Sequence, residues 1–285
     1  MIIHSRLLLE SLVTKLSPAH GADEALAIAY LLLENLTGMP RADMMANRPF
    51  DWTDAHKENA DTITQRLLTG EPLQYILGEA DFYGYRFTVT PAVLIPRPET
   101  ELLIDTIRTY ASRQPTTPLR VLDIGTGSGC IAITTALVCR AEVSATDISE
   151  AALAVSRSNA EQLNASVTFV QHDILMDESP FANLDVVVSN PPYIALSEKA
   201  AMGHNVVGFE PHGALFVPDD DALLFYRALA IKAFDMLRSG GMLCVEINER
   251  FGPDVRDLFT RMGYTQSEIV RDLDGKDRIV KAFKS

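Results

Sequence analysis

Apolar side chains recur every three or four positions through the first seventy residues, the spacing that turns one face of an α-helix toward a core. Leu7, Leu8, Leu12, Val13 and Leu16 form one series, and Leu26, Ile28, Leu31, Leu32 and Leu36 a second. A third, Ile63, Leu67 and Leu68, stops at Thr69-Gly70-Glu71-Pro72. Ser17-Pro18 and Gly38-Met39-Pro40 predict the breaks between helices, since proline lacks an amide hydrogen and glycine tolerates turn dihedrals. The spacing therefore predicts a small all-helical domain over residues 1–75. It carries no cluster of catalytic residue types, so its functional reading is a docking module for a partner.

The period changes at Phe82. Phe82, Tyr83, Tyr85, Phe87 and Val89 are aromatic or β-branched in near-alternation, interrupted by Gly84 and Pro91. A β-hairpin or extended linker is expected over 76–98. Helical spacing resumes over 99–110. Beyond it, strand-like runs at 120–124, 142–147, 167–171, 184–189 and 242–247 alternate with helical runs such as 130–137, 150–163 and 222–237. That alternation predicts an α/β fold over 99–285, a parallel sheet covered by helices. The last two runs, 267–270 and 278–283, flank a turn at Asp274-Gly275 and must pair antiparallel.

Composition narrows the class. The chain has 285 residues and is 47% hydrophobic, enough for a sizeable core. No apolar run approaches the roughly 20 residues of a membrane span, and the N-terminus lacks a signal peptide's pattern, so a cytoplasmic protein without membrane contact is expected. The net charge of −13 speaks against a phosphate-gripping surface, and no direct nucleic-acid partner is expected. Cys130, Cys139 and Cys244 are too scattered for a zinc site or a disulfide framework. The six histidines show no ligand spacing either, so no metal is expected. Asp219-Asp220-Asp221 precedes a helical run and is expected to cap it.

Two strings carry chemistry. In the first, the strand Val121-Leu122-Asp123-Ile124 runs into Gly125-Thr126-Gly127-Ser128-Gly129, with a helical run behind it. Glycines let a ligand approach the backbone, and a helix N-terminus offers unpaired N–H groups. The G-x-G-x-G spacing fits neither a nucleoside-triphosphate loop nor the G-x-G-x-x-G dinucleotide fingerprint. About twenty residues beyond Gly127, Asp147 closes the next strand, where an acid can accept from both ribose hydroxyls. Asp173, after the third strand and followed by Ile174, can accept from an adenine amino group.

The second string is Ser189-Asn190-Pro191-Pro192-Tyr193, where a buried strand stops and two prolines stiffen the backbone. The Asn190 side-chain oxygen and the Pro191 carbonyl can accept the two hydrogens of a planar –NH₂ group, with Tyr193 against its flat face. An amide or aryl amine nitrogen is a poor nucleophile because its lone pair is delocalised. Acceptors on both N–H groups push electron density toward nitrogen and aim the lone pair at an incoming methyl.

These strings resemble class I S-adenosylmethionine (SAM)-dependent methyltransferases that modify planar amino groups. Pro96-Arg97-Pro98-Glu99-Thr100-Glu101, Phe82-Tyr83-Gly84, Gln74-Tyr75-Ile76-Leu77-Gly78 and Phe209-Glu210-Pro211 are similar to the peptide chain release factor N5-glutamine methyltransferases. The resemblance implies methyl transfer from SAM to the glutamine of the Gly-Gly-Gln motif of class I release factors. It also implies a Rossmann-like seven-stranded sheet with one antiparallel strand, and a helical N-terminal domain that contacts the release factor. Gly125, Thr126, Gly127, Ser128 and Gly129 would line the SAM methionine, Asp147 the ribose, and Asp173 with Ile174 the adenine. Asn190, Pro191, Pro192 and Tyr193 would hold the glutamine amide, Asn190 also bordering SAM, while Arg97 and Glu99 would shape the cofactor pocket. Glu246-Ile247-Asn248-Glu249-Arg250 departs from the family's Glu-Ile-Gly pattern. A ribosomal-protein glutamine methyltransferase, a DNA adenine-N6 methyltransferase and an inactive SAM-binding scaffold remain as alternatives.

Overall fold

The computed structural model describes residues 1–114 and 118–285. It divides into two compact units, residues 1–78 with 203–209 and residues 79–202 with 210–285. None of the helices among the described residues is long and apolar enough to cross a membrane.

The first unit opens on β1 (Ile2–His4), α1 (Ser5–His20), α2 (Ala22–Thr37) and α3 (Arg41–Met45), then β2 (Pro49–Asp51), α4 (Asp54–Leu68) and α5 (Leu73–Leu77). It is not all-helical: β1 and β2 pair antiparallel, Ile3 opposite Phe50. Nor does Ser17-Pro18 break α1. A proline in the last turn removes only one late helical bond, and the Ser17 hydroxyl donates to the Val13 carbonyl at 2.6 Å. The break comes at Gly21, whose φ of 77° leaves the helix while its N–H returns to the Ser17 carbonyl. The buried stripes are Leu9, Leu12 and Leu16 on α1 and Ala25, Ile28, Ala29, Leu32 and Leu33 on α2. Leu7, Leu26 and Leu31, which belong to the apolar series by spacing, stand exposed.

The second unit begins with a hairpin, β3 (Glu79–Phe82) and β4 (Tyr85–Thr88), and continues through α6 (Glu101–Ala111), β5 (Leu119–Ile124) and α7 (Cys130–Val138). Next come β6 (Ala141–Asp147), α8 (Glu150–Gln162), β7 (Val167–Gln171), β8 (Leu184–Ser189) and a short β9 (Ile194–Ala195). After α9 (His204–Phe209), which belongs to the first unit, follow β10 (Phe216–Val217), α10 (Leu224–Met236), β11 (Leu237–Glu246), α11 (Gly252–Arg261), β12 (Tyr264–Arg271) and β13 (Asp277–Lys284).

Seven strands form one sheet in the order β12-β13-β11-β8-β5-β6-β7, and β13 alone runs antiparallel to its neighbours. Both faces are covered. Val186 and Val188 point into the core shared with α6 and α7, while Val187 points into the core shared with α10 and α11. This explains the consecutive valines 186–188 of β8, where neither face is open to solvent. The chain starts at β5, builds outward to β7 and then returns to β8, so the switch point lies between β5 and β8. Ligands of such sheets sit at the carboxyl ends of the strands there. Two expectations change. Leu237 begins β11 instead of ending α10, and the Asp219–Asp221 run caps no helix. Asp219 accepts from the Ser197 amide at 2.7 Å, Asp221 pairs with Arg227, and α10 starts behind Leu223 without a side-chain cap.

Candidate active site

Ile124 ends β5 and the backbone turns sharply, with the N–H groups of Gly125 and Thr126 both donating to the Thr146 carbonyl on β6. Gly125 and Gly127 have φ of 74° and 55°, the left-handed region, and a Cβ at either would meet nothing within 4 Å. Their hydrogens face open space. Gly129 differs: a Cβ there would press within 2.8 Å of Ile133 Cδ1 and 2.9 Å of Ser156 Cβ, so this glycine lets α7 pack against α8 and lies outside the cavity lining. Below the turn, Asp123 is fully buried, and its Oδ2 accepts from the Thr126 hydroxyl at 2.6 Å. Its Oδ1 has no partner among the described residues, and burial pushes the carboxyl up to about 7.

At the end of β6, Asp147 accepts from the Gly127 amide through Oδ2 and from the Ser149 amide through Oδ1, both at 2.9 Å. Burial raises its pKa, against the pull of these backbone donors. Each carboxylate oxygen keeps a second lone pair for a ligand. Past β7, Asp173 accepts from the Leu175 amide at 2.8 Å, and Ile174 is buried beside it. His172 is 7% exposed, and neither ring nitrogen has a partner among the described residues. Gly125, Thr126, Gly127, Ser128, Asp147, His172, Asp173 and Ile174 all line one cavity of about 360 Å³. That lies within the range of small-molecule sites.

Asn190, Pro191 and Pro192 line the same cavity from the end of β8. The Asn190 Nδ2 donates to the Thr100 hydroxyl oxygen at 3.2 Å, leaving Oδ1 free of any described protein donor. Thr100 in turn donates to Glu246 Oε2 at 2.6 Å, and the Tyr193 hydroxyl donates to Glu246 Oε1 at 3.0 Å. Thr100 and Glu246 are both buried; burial raises the pKa of Glu246, and Tyr193's own burial beside that carboxylate raises the phenol's. Tyr193 lies outside the cavity lining, its ring packed with the α10–α11 core.

Arg97 lines the cavity and is held by buried Glu210 at 2.5 Å, which also accepts from the Ile95 amide at 3.4 Å. Glu99 is exposed and outside the lining, so the structure separates these two members of one string. In the departing loop, Asn248 caps the turn by accepting from the Arg250 amide, and Arg250 reaches Glu198 at 3.1 Å.

Sequence reasoning missed four cavity or near-cavity groups. Thr100 sat unread inside the Arg97–Glu101 string, and Glu246 counted only as the start of a loop. His172 was one of six scattered histidines, although it directly precedes Asp173. Cys130 is a buried thiol on the lining, pushed up to about 12 by burial and therefore inert as a nucleophile. The signal that could have found Thr100 and Glu246 is position: both stand at element ends facing the carboxyl edge of the sheet. Together these groups offer a backbone-lined pocket beside a side-chain acceptor for a planar amine or amide, the layout of a group transfer between two bound molecules.

Comparison with known proteins agrees with that layout. Residues 98–208 match the Methyltransferase small domain, and residues 8–78 match the PrmC N-terminal domain. The release factor glutamine methyltransferase of Bacteroides thetaiotaomicron is 40% identical over 94% of this chain and 95% of its own length. That of Flavobacterium psychrophilum is 38% identical over 88% of this chain and 89% of its own. Among solved structures, a methyltransferase from Pyrococcus furiosus superposes with a TM-score of 0.53, at 18% identity over 79% of this chain and 99% of that one, a likeness of fold. With identity at this level along nearly its whole length, the chain belongs to the release factor glutamine methyltransferase family.

Proposed function

We propose that the chain transfers a methyl group from SAM to the side-chain amide nitrogen (N5) of the glutamine in the Gly-Gly-Gln motif of class I peptide chain release factors. The observation that carries this reading is Asn190. Its Oδ1 is left as a free acceptor on a cavity it shares with the glycine turn.

The lining suits SAM. Two glycines open toward space that a methionine chain could fill, and the unpartnered ring nitrogens of His172, which lines the cavity, are groups that polar atoms of a ligand would satisfy. SAM supplies an electrophilic methyl on a sulfonium sulfur. Gly125, Thr126, Gly127 and Ser128 hold its methionine part, Asp147 its ribose, and Asp173 with Ile174 its adenine. Arg97, fixed by Glu210, borders the pocket. Asn190 Oδ1 and the Pro191 carbonyl accept the two amide hydrogens and Pro192 flanks the flat group, while Tyr193, outside the lining, supports the site from behind through Glu246. So held, the amide lone pair forms the N–C bond as the S–C bond breaks. The surplus proton on nitrogen then passes to water, so no strong base is required. The unit of residues 1–78 and 203–209 is the part we assign to docking the release factor, in a cytoplasmic reaction that needs neither metal nor nucleic acid.

The test is transfer of labelled methyl from SAM to purified class I release factors, beside a Gly-Gly-Gln to Gly-Gly-Ala factor, ribosomal proteins and duplex DNA. Label confined to the wild-type factor supports the assignment. Label on DNA or on a ribosomal protein moves the substrate and leaves the chemistry; label on nothing ends the reading.

A further inference from the structure

Behind Asn190, three side chains from distant parts of the sequence have hydrogen-bond directions set by one buried carboxylate. Glu246 ends β11, Thr100 precedes α6, and Tyr193 follows the two prolines. An ionised carboxylate is only an acceptor. The single hydroxyl proton of Thr100 therefore goes to Oε2 and that of Tyr193 to Oε1. With its proton committed, the Thr100 oxygen can only accept, and the group facing it at 3.2 Å is the Asn190 amide. Turned the other way, that amide would set its carbonyl oxygen against the Thr100 lone pairs, acceptor against acceptor. The arrangement is stable with one end of the amide only.

We propose that Thr100 and Glu246 are positioning residues: a donor relay from Asn190 through Thr100 to Glu246 fixes which end of the Asn190 amide meets the substrate. The inference rests on Asn190 being the acceptor for a glutamine amide. With Oδ1 outward, Asn190 accepts an N–H of the substrate. With Nδ2 outward, donor would face donor, and the substrate nitrogen would lose the contact that aims its lone pair. The relay explains why a buried carboxylate stands between two hydroxyls at this spot. A neutral side chain could hold them in place, but only an obligate acceptor draws both protons toward itself. The Tyr193 bond belongs to the same device, because it takes the second oxygen and keeps the carboxylate plane from rotating away from Thr100.

Three variants of the full chain test this: Thr100→Val, which keeps the shape and removes the hydroxyl; Thr100→Ser, which keeps the hydroxyl; and Glu246→Gln, which keeps the shape but adds a donor. Each is assayed for kcat and KM with release factor, for S-adenosylhomocysteine affinity by calorimetry, and for melting temperature. Thr100→Val and Glu246→Gln are expected to lose about 100-fold in kcat, the scale of one misplaced preorganised dipole, while KM and S-adenosylhomocysteine affinity stay within about threefold. Thr100→Ser should remain within about fivefold of wild type, a rescue that simple packing by the threonine methyl would not give. Retention of kcat in Thr100→Val or in Glu246→Gln overturns the relay, and so does a Thr100→Ser loss as deep as that of Val. If Thr100→Val melts too low to assay, Glu246→Gln decides alone. If the wild-type chain binds S-adenosylhomocysteine but labels no release factor, the substrate reading fails and the relay falls with it. Wild-type activity with unimpaired variants sinks the relay only.

Discussion

The two ends of the cavity are polar in different ways. At the end bordered by Gly125 and Gly127, much of the polar framework is backbone, and even the Asp147 side chain is oriented by the amides of Gly127 and Ser149. At the Asn190 end, the hydrogen bonds run between side chains, from Asn190 to Thr100 to Glu246 to Tyr193. A backbone site is set by turn dihedrals and tolerates exchange of many side chains. A side-chain relay fails when any one member changes its donor or acceptor character. Binding and chemistry should therefore separate cleanly by mutation.

The largest effect expected is at Asn190. Asn190→Ala removes the free acceptor and the last link of the relay. Transfer should fall by about 10³-fold or more, while SAM affinity changes by less than about fivefold. Single-turnover rates and calorimetry on the same preparation measure both. Equal losses in the two would merge the ends of the cavity into one functional unit.

Next in size is a pH effect at Asp123, the buried acid under the glycine turn. Its folded pKa of about 7 lies above the ordinary 3.8, so the folded state holds the proton more tightly than the unfolded state. The stability this gives is complete below pH 3.8, declines as the pH rises, and is gone above about 7. The difference is on the order of 4 kcal/mol across that window. Asp123→Asn cannot titrate, so its melting temperature relative to wild type should climb from about pH 4 to about pH 7 and then level off. A flat difference would show that Asp123 ionises as freely folded as unfolded.

The same contrast explains what could be read in the chain. Backbone-built features leave local marks: the glycine spacing, the acid at the next strand end, and the uninterrupted valines that placed β8 at Leu184–Ser189 to the residue. The relay leaves at most the position of its members at element ends, because Thr100 and Asn190 are 90 positions apart and Thr100 and Glu246 are 146 apart, joined only once the sheet has formed. Gly129 fitted the glycine pattern but belongs to helix packing, which spacing alone cannot distinguish from ligand approach. Pro18 and Leu237 misled for a different reason. Both lie at element ends, where a proline in a final turn and a leucine at a helix-to-strand junction satisfy either assignment.

At the backbone end, Asp147→Ala should weaken SAM binding by roughly tenfold to a hundredfold, the scale of one charge-assisted hydrogen bond at the ribose position proposed for it. The rate of transfer at saturating SAM should drop far less. Titration of SAM against the initial rate distinguishes the two. A fall in the saturated rate as large as that of Asn190→Ala would mean that Asp147 also governs the chemical end.

The finest division lies within the glycine turn itself, and two alanines resolve it. Both Gly125 and Gly129 have positive φ, so alanine at either carries a backbone penalty of about 1 kcal/mol. Beyond that shared term the two positions diverge. At Gly125 the new methyl enters open space on the cavity side, so stability should fall by little more than the backbone term while SAM affinity drops severalfold. At Gly129 the methyl meets the Ser156 backbone-bound Cβ at 2.9 Å as well as the movable Ile133 tip, and α7 must shift away from α8. Its stability loss should reach about 2 kcal/mol, with the larger share coming from packing. SAM affinity in the folded fraction should stay near that of wild type, because Gly129 lies outside the cavity lining. Denaturant melts with calorimetry on both variants read the two quantities separately. If Gly129→Ala loses affinity as steeply as Gly125→Ala, all three glycines of the turn serve the ligand, and the packing role assigned to Gly129 is wrong.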